Sequence, residues 1–206
     1  MMNRTTPVFL LLAFLFLSAG LHAQVGRTAR ITPQRSYMLG IMPIWYPDET
    51  ATGLVPVYPN DVPEVGLGAG LSARYGVNYS LDMGIQVAYI YGGKPMLGAD
   101  LMFLVREARY SYISLGGGVH YWDNPGIDLR ALFTYNPRYQ ISITGGLDLD
   151  VNYDPVMDNK IRTRVWLPVN VGFEVSKTST LFAEFNLQVS QLSWSIVALG
   201  ANIVFR

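Results

Sequence analysis

From Ser36 onward the chain alternates apolar residues with small or polar ones at a period of two. That spacing sends successive side chains to opposite faces of a β-strand. Ten such runs are visible, at approximately 36–46, 64–75, 79–91, 96–106, 110–121, 127–135, 139–150, 161–175, 180–191 and 196–206. In "YSLDMGIQVAYIY", Tyr79, Leu81, Met83, Ile85, Val87, Tyr89 and Tyr91 share one face, and Ser80, Asp82, Gly84, Gln86, Ala88 and Ile90 the other. The runs are close to the length of about 9–11 residues with which a tilted strand crosses a bilayer. The connections also alternate. "PDETATGLVPVYPNDVP" (47–63) and "NYDPVMDNK" (152–160) are long, whereas "GVN" (76–78), "EAR" (107–109), "NPR" (136–138) and "SKTS" (176–179) are short. The pattern predicts hairpins joined by short turns on one side and longer loops on the other.

"GAGLSA" at 68–73 fits the glycine fingerprint of a dinucleotide-binding turn, which needs a helix directly after it. Here the alternation continues instead through Leu71, Ala73 and Tyr75 into the turn at Gly76. The stretch is strand, with its glycines on the less apolar face.

Composition decides which face is outside. Hydrophobic residues make up 50% of the chain and aromatics 13%, yet after Ala23 no apolar run approaches the roughly 18 residues of a membrane helix. Lysine occurs only at Lys94, Lys160 and Lys177, all in connections, whereas soluble β-proteins guard their outer faces with lysine. Aromatics collect at both ends of the runs. Tyr37, Tyr75, Tyr79, Tyr110, Tyr135, Tyr139, Phe173 and Phe205 lie at one end. At the other are Trp45, Tyr89, Tyr91, Tyr121, Trp122, Tyr153 and Trp194. Two aromatic girdles around an aliphatic band match the two interfaces of a bilayer. The expected fold is therefore all-β, an antiparallel up-and-down transmembrane β-barrel of about ten strands, with eight as the smaller possibility.

Residues 1–23 have Arg4 near the start, an apolar run from Val8 to Leu17, and small residues at Ala19, Gly20 and Ala23, the layout of a cleavable signal peptide. The expected organisation is a signal peptide over 1–23, a short N-terminal periplasmic segment over 24–35, and the barrel over 36–206. Lys plus Arg and Asp plus Glu number 15 each, so no basic excess is present to hold nucleic acid. The chain contains no cysteine, hence no disulfide and no lipid-bearing thiol.

The last run, "SIVALGANIVFR", alternates Val197, Leu199, Ala201, Ile203 and Phe205. It resembles the terminal strand of Gram-negative outer-membrane β-barrel proteins, here with Arg206 after the aromatic. The resemblance implies an outer-membrane location, surrounding outer-membrane lipid, and recognition of Phe205 by the barrel-assembly machinery.

With apolar residues outward, the lumen receives the acids Asp82, Asp100, Asp128, Asp148, Asp150, Glu174 and Glu184 and the bases Arg74, Arg106, Arg130, Arg162 and Arg164. Mixed signs on neighbouring strands predict cross-strand ion pairs bracing the interior; a charged constriction in a narrow channel is the other reading. Inward glycines such as Gly70, Gly84 and Gly118 leave space that large neighbours or a ligand must take. His120, near the outer end of strand five, is the sole histidine after the leader and the candidate for catalysis, with Ser114, Asp123 and Asp128 nearby. In "DLDVNYD", Asp150, Asn152 and Asp154 have the spacing that starts a calcium loop. Pro155 replaces its glycine, however, and Ile161 its closing glutamate, leaving only a loose rim site. No cofactor is expected. The sequence thus favours a non-catalytic outer-membrane barrel with a structural, narrow-channel or ligand-binding role. The alternatives are a barrel enzyme acting on lipid or peptide through His120, and an accessory of a secretion or conjugation apparatus using the 47–63 loop.

Overall fold

Ten strands form where the alternation predicts them. They are β1 (Tyr37–Tyr46), β2 (Gly66–Gly76), β3 (Leu81–Ile90), β4 (Pro95–Ala108), β5 (Ser111–Trp122), β6 (Asn124–Arg138), β7 (Ile141–Tyr153), β8 (Ile161–Ser176), β9 (Ser179–Gln188) and β10 (Ser193–Phe205). This computed structural model describes residues 28–46, 66–90, 95–122, 124–153, 155, 160–189 and 193–206. The expected signal peptide, the 47–63 loop, Tyr91 and Asp154 lie outside the described residues, as do the side chains of Trp122 and Trp194.

Each strand pairs antiparallel with its sequence neighbours, and β1 also pairs with β10, from Tyr37 opposite Phe205 to Trp45 opposite Val197. The sheet is a closed barrel. Closure leaves no unpaired edge, the condition under which a sheet can sit in hydrocarbon. Strand bounds follow the expected runs to within three residues, the largest differences falling at the end of β7, the end of β9, the start of β10 and both ends of β6. The Asn124–Pro125–Gly126 stretch, whose composition reads as a turn, pairs with Trp122, Tyr121 and His120 and so extends the hairpin. Pro125 occupies an outward position there, and Gly126 lies beneath the His120 ring.

One phase runs through all ten strands: along their central parts the even-numbered residues point inward and the odd-numbered ones outward. Leu39, Ile41, Leu71, Leu101, Leu129 and Leu199 are therefore exposed on the barrel's exterior. At the end holding both termini and the turns at 77–80, 109–110, 139–140 and 177–178, Tyr79 and Tyr139 are 83% and 85% exposed. Tyr37 and Tyr75 stack there with ring centroids 4.9 Å apart. Trp45, Tyr89, Tyr121 and Tyr153 are exposed toward the opposite, loop-bearing end. An apolar wall ringed by aromatics at both ends, around a polar interior, is the inverse of a soluble barrel and suits a bilayer.

Candidate functional site

The inward face is the only place where this wall can assemble polar chemistry, and it is filled in distinct layers. One layer is apolar. Met42 and Ile44 of β1, Ala88 of β3, Met96 of β4, Trp166 of β8, Phe182 of β9 and Ala198 of β10 form a single buried cluster. In a ring of ten, β3 and β8 stand opposite each other, so the cluster reaches across the lumen. Trp166, its largest member, is 0% exposed. Two inward glycines make room for it. A Cβ on Gly70 would come within 2.9 Å of Met42 Cγ, and one on Gly200 within 2.4 Å of Phe182 Cζ. The space left by these glycines is occupied by the chain's own side chains.

Elsewhere the wall's interior is largely polar, and its charged groups are paired or hydrogen-bonded. Arg74 of β2 bridges Asp82 of β3 and Asp100 of β4, the latter at 3.2 Å. Its guanidinium passes over Gly84, where a Cβ would lie 2.7 Å from Nη1. Arg130 pairs with Asp128 on its own strand and approaches Asp148 of β7 at 3.8 Å. Glu184 accepts hydrogen bonds from the side-chain amides of Asn170 at 3.0 Å and Asn186 at 2.9 Å. All of these side chains are buried. Burial of such charges is tolerable because each meets an opposite charge or a donor; an isolated one would carry a large desolvation cost.

His120 is held from both sides. Its Nδ1 lies 3.3 Å from Asp128, and its Nε2 lies 2.8 Å from both Asn152 Oδ1 and Asp150 Oδ1. Gly126 permits this, since a Cβ there would fall 2.2 Å from Nε2. Ser114, the candidate nucleophile, points elsewhere: its hydroxyl donates to the backbone carbonyl of Ala29. Asp150 and Asn152, expected at an outer rim, are buried and turned to His120. Among the described residues no cluster of three His, Cys, Asp or Glu is placed to hold a metal ion.

The remaining expected lumen charges fall at the margins. Arg162 and Arg164 are half-buried on β8, in register with Asn152 and Asp150. Arg106 is not in the lumen. A bulge between Leu104 and Arg106 places it opposite Ile113 and breaks the even-inward phase, leaving Arg106 exposed. Period-two reasoning cannot foresee a bulge, because the extra residue is accommodated by a local twist and not by a change of composition.

The third layer has no counterpart in the alternating pattern. Residues 28–36, just before β1, turn across the terminus end of the barrel as a strap. Arg35 N–H donates to Gly76 O at 2.8 Å, and Gly76 N–H donates to Ser36 O at 3.0 Å. Thr32 N–H donates to Asp82 at 2.8 Å, Ala29 N–H to Thr134 Oγ1 at 2.7 Å, and Arg30 pairs with Glu174 of β8 at 2.6 Å. The strap thus touches β2, β3, β4, β5, β6 and β8. Ala29 is wholly buried against Met102 and Leu132, with Ile31 and Tyr112 packed alongside. Gly76 is required by the close approach of the strap: a Cβ there would lie 2.1 Å from Pro33 O. Arg35 takes a φ of 57°, the left-handed turn that leads the strap into β1.

No known family matches the chain, and no curated protein matches it in sequence. Solved structures resemble it in chain path. A KdgM porin covers 82% of this chain and 99% of its own at 8% identity, with a TM-score of 0.48. The outer membrane protein OprG of Pseudomonas aeruginosa covers 87% of this chain and all of its own at 7% identity, with a TM-score of 0.42. The attachment invasion locus protein Ail of Yersinia pestis covers 85% of this chain and all of its own at 11% identity, with a TM-score of 0.35. At these values the likeness is one of general chain path, and the reading of the lumen rests on its own geometry.

Proposed function

We propose that this protein is an integral outer-membrane barrel whose lumen is closed by its own residues, so that it serves as a non-catalytic membrane structure and not as an open pore. The observation that carries this reading is the apolar cluster around Trp166, which spans the lumen from β3 and β4 to β8 and β9. Water and ions do not pass through a layer whose indole is fully buried among Met42, Ile44 and Phe182. The strap and the ion pairs close the rest. A location in the outer membrane is supported by the apolar exterior, the leader-like residues 1–23 and the C-terminal strand. In the same reading Phe205, exposed on the outer face of β10, is the residue presented to the assembly machinery.

The geometry of His120 supports a bracing role. A general base needs a ring nitrogen aimed at a nucleophile or substrate, and both nitrogens here face carboxylate or amide oxygens inside the barrel. Two assays test the proposal. Membrane fractionation should return an outer-membrane band that migrates anomalously on a detergent gel until boiled. Vesicles loaded with the protein should not swell in small sugars. A soluble protein, or vesicles that swell, would overturn it.

A further inference from the structure

The equal totals of acidic and basic residues conceal a separation along the barrel axis. At the terminus end Arg35, Arg106, Arg109, Arg138, Lys177 and Arg206 are all exposed. Arg30 is there too, paired with Glu174, which leaves Glu107 as the other acidic side chain of that rim among the described residues. The connections between strands at the opposite end reverse the balance: in sequence they carry Asp48, Glu49, Asp61, Glu64, Asp123, Asp154 and Asp158 against Lys94 and Lys160.

These cations are not scattered over a solvated surface; they border the aromatic girdle. The Arg109 guanidinium lies over the Tyr110 ring at 5.1 Å, Arg138 precedes the exposed Tyr139, and Arg206 follows the outward Phe205. The girdle marks the depth at which hydrocarbon gives way to headgroups, so the charges stand at headgroup level around the barrel. Long Arg and Lys side chains at that depth extend toward phosphate, and Arg offers a fork of donors to phosphate oxygens.

We propose that the terminus-end rim is a binding surface for the phosphate groups of anionic phospholipids, such as phosphatidylglycerol, in the leaflet that surrounds it. This rests on the membrane reading above and adds the class of lipid selected. Juxtamembrane basic residues draw anionic lipid through the surface potential, and the attraction fades within a Debye length as salt rises. The acidic loops keep the two ends electrostatically unlike, so the anionic lipid collects at one end only.

The test uses the full mature chain in phosphatidylcholine vesicles containing a trace of spin-labelled phosphatidylglycerol or, separately, spin-labelled phosphatidylcholine. Electron paramagnetic resonance reads the fraction of each label immobilised at the protein surface. The expected result is immobilisation of the anionic label about threefold over the neutral one, falling toward parity in about 1 M salt. The combined variant Arg106→Gln, Arg109→Gln, Arg138→Gln and Lys177→Gln should lose the preference while keeping its heat-modifiable mobility. If that variant does not fold, the salt series on the unaltered protein decides alone. Equal immobilisation of both labels overturns the inference, leaves the membrane reading standing, and would turn attention to an acidic protein partner for the rim. A preference that survives the four substitutions, or that persists in high salt, also overturns it. Immobilisation of neither label overturns the membrane reading itself.

Discussion

The two closures of the lumen are built by different means. Around Trp166 the wall closes itself: large side chains from β1, β8 and β9 reach inward and inward glycines make room for them. At the terminus end the wall is lined by Ser114, Thr134, Thr144 and Asp82, which are too short to meet across the barrel, and the chain brings in a separate piece of backbone. The first closure is held by apolar contact, whereas the second adds hydrogen bonds to main-chain N–H and C=O groups to the packing of Ala29 on Met102 and Leu132. Apolar packing suits a layer with no backbone to satisfy. A strap of irregular backbone is possible inside a membrane barrel only where wall side chains satisfy its polar groups, and Asp82, Ser114 and Thr134 do so.

The comparison can be broken from either side. The largest effects belong to residues that hold a closure. Trp166→Ala should destabilise the folded barrel by about 3–5 kcal/mol, because the cavity left behind cannot be refilled from a rigid wall. A denaturant series in detergent, read by the heat-modifiable gel shift, measures this, and a loss below about 1 kcal/mol would refute the packed cluster. Asp82→Ala should cost a similar amount, about 3–5 kcal/mol, since it leaves Arg74 buried beside Asp100 alone and frees the Thr32 amide. The two variants should differ in where they loosen the protein: limited proteolysis should cut near residues 28–36 in Asp82→Ala and not in Trp166→Ala.

Gly76→Val comes next. Its side chain meets Pro33 O and Thr32 O, so the strap must lift while β2 and β3 remain paired. A denaturation midpoint lowered by less than in Asp82→Ala, with new proteolytic sensitivity before β1, is the expected outcome. Arg30→Ala should have the smallest effect. The Arg30–Glu174 pair is half in solvent, with side-chain exposures of 54% and 26%, and such pairs contribute about 0–1 kcal/mol. If Arg30→Ala loosens the strap as much as Gly76→Val does, the backbone hydrogen bonds are not what holds it.

The wall and the face on which each residue lies were legible because both follow from one rule; whether side chains or a ligand take the space beside the inward glycines was not. Once the even positions are inward, Met42, Trp166 and Phe182 are lumen residues, and so are Arg74, Asp82, Asp100, Asp128, Arg130, Asp148, Asp150 and Glu184. Their mixed signs on neighbouring strands already point to pairing. Three things escaped the rule. Arg106 lies beyond a bulge that leaves no mark in composition. His120 reads as a rim residue because its holders, Asp150 and Asn152, arrive from two strands away in register. The strap "TARITPQRS" has no period, and its contacts lie from 40 residues further along, at Gly76, to 144, at Glu174. Gly76, read in sequence as part of the turn at 76–78, gave no sign that Pro33 and Thr32 of the strap lie against it.

Two independent closures make a claim that single-channel recording in a planar bilayer tests directly. Four proteins are compared: the unaltered chain, Trp166→Ala, a deletion of residues 24–34, and the two changes together. The account predicts no steady conductance from the first three and a stable open pore from the fourth alone. Steady conductance in the unaltered protein, or in either single variant, would contradict it.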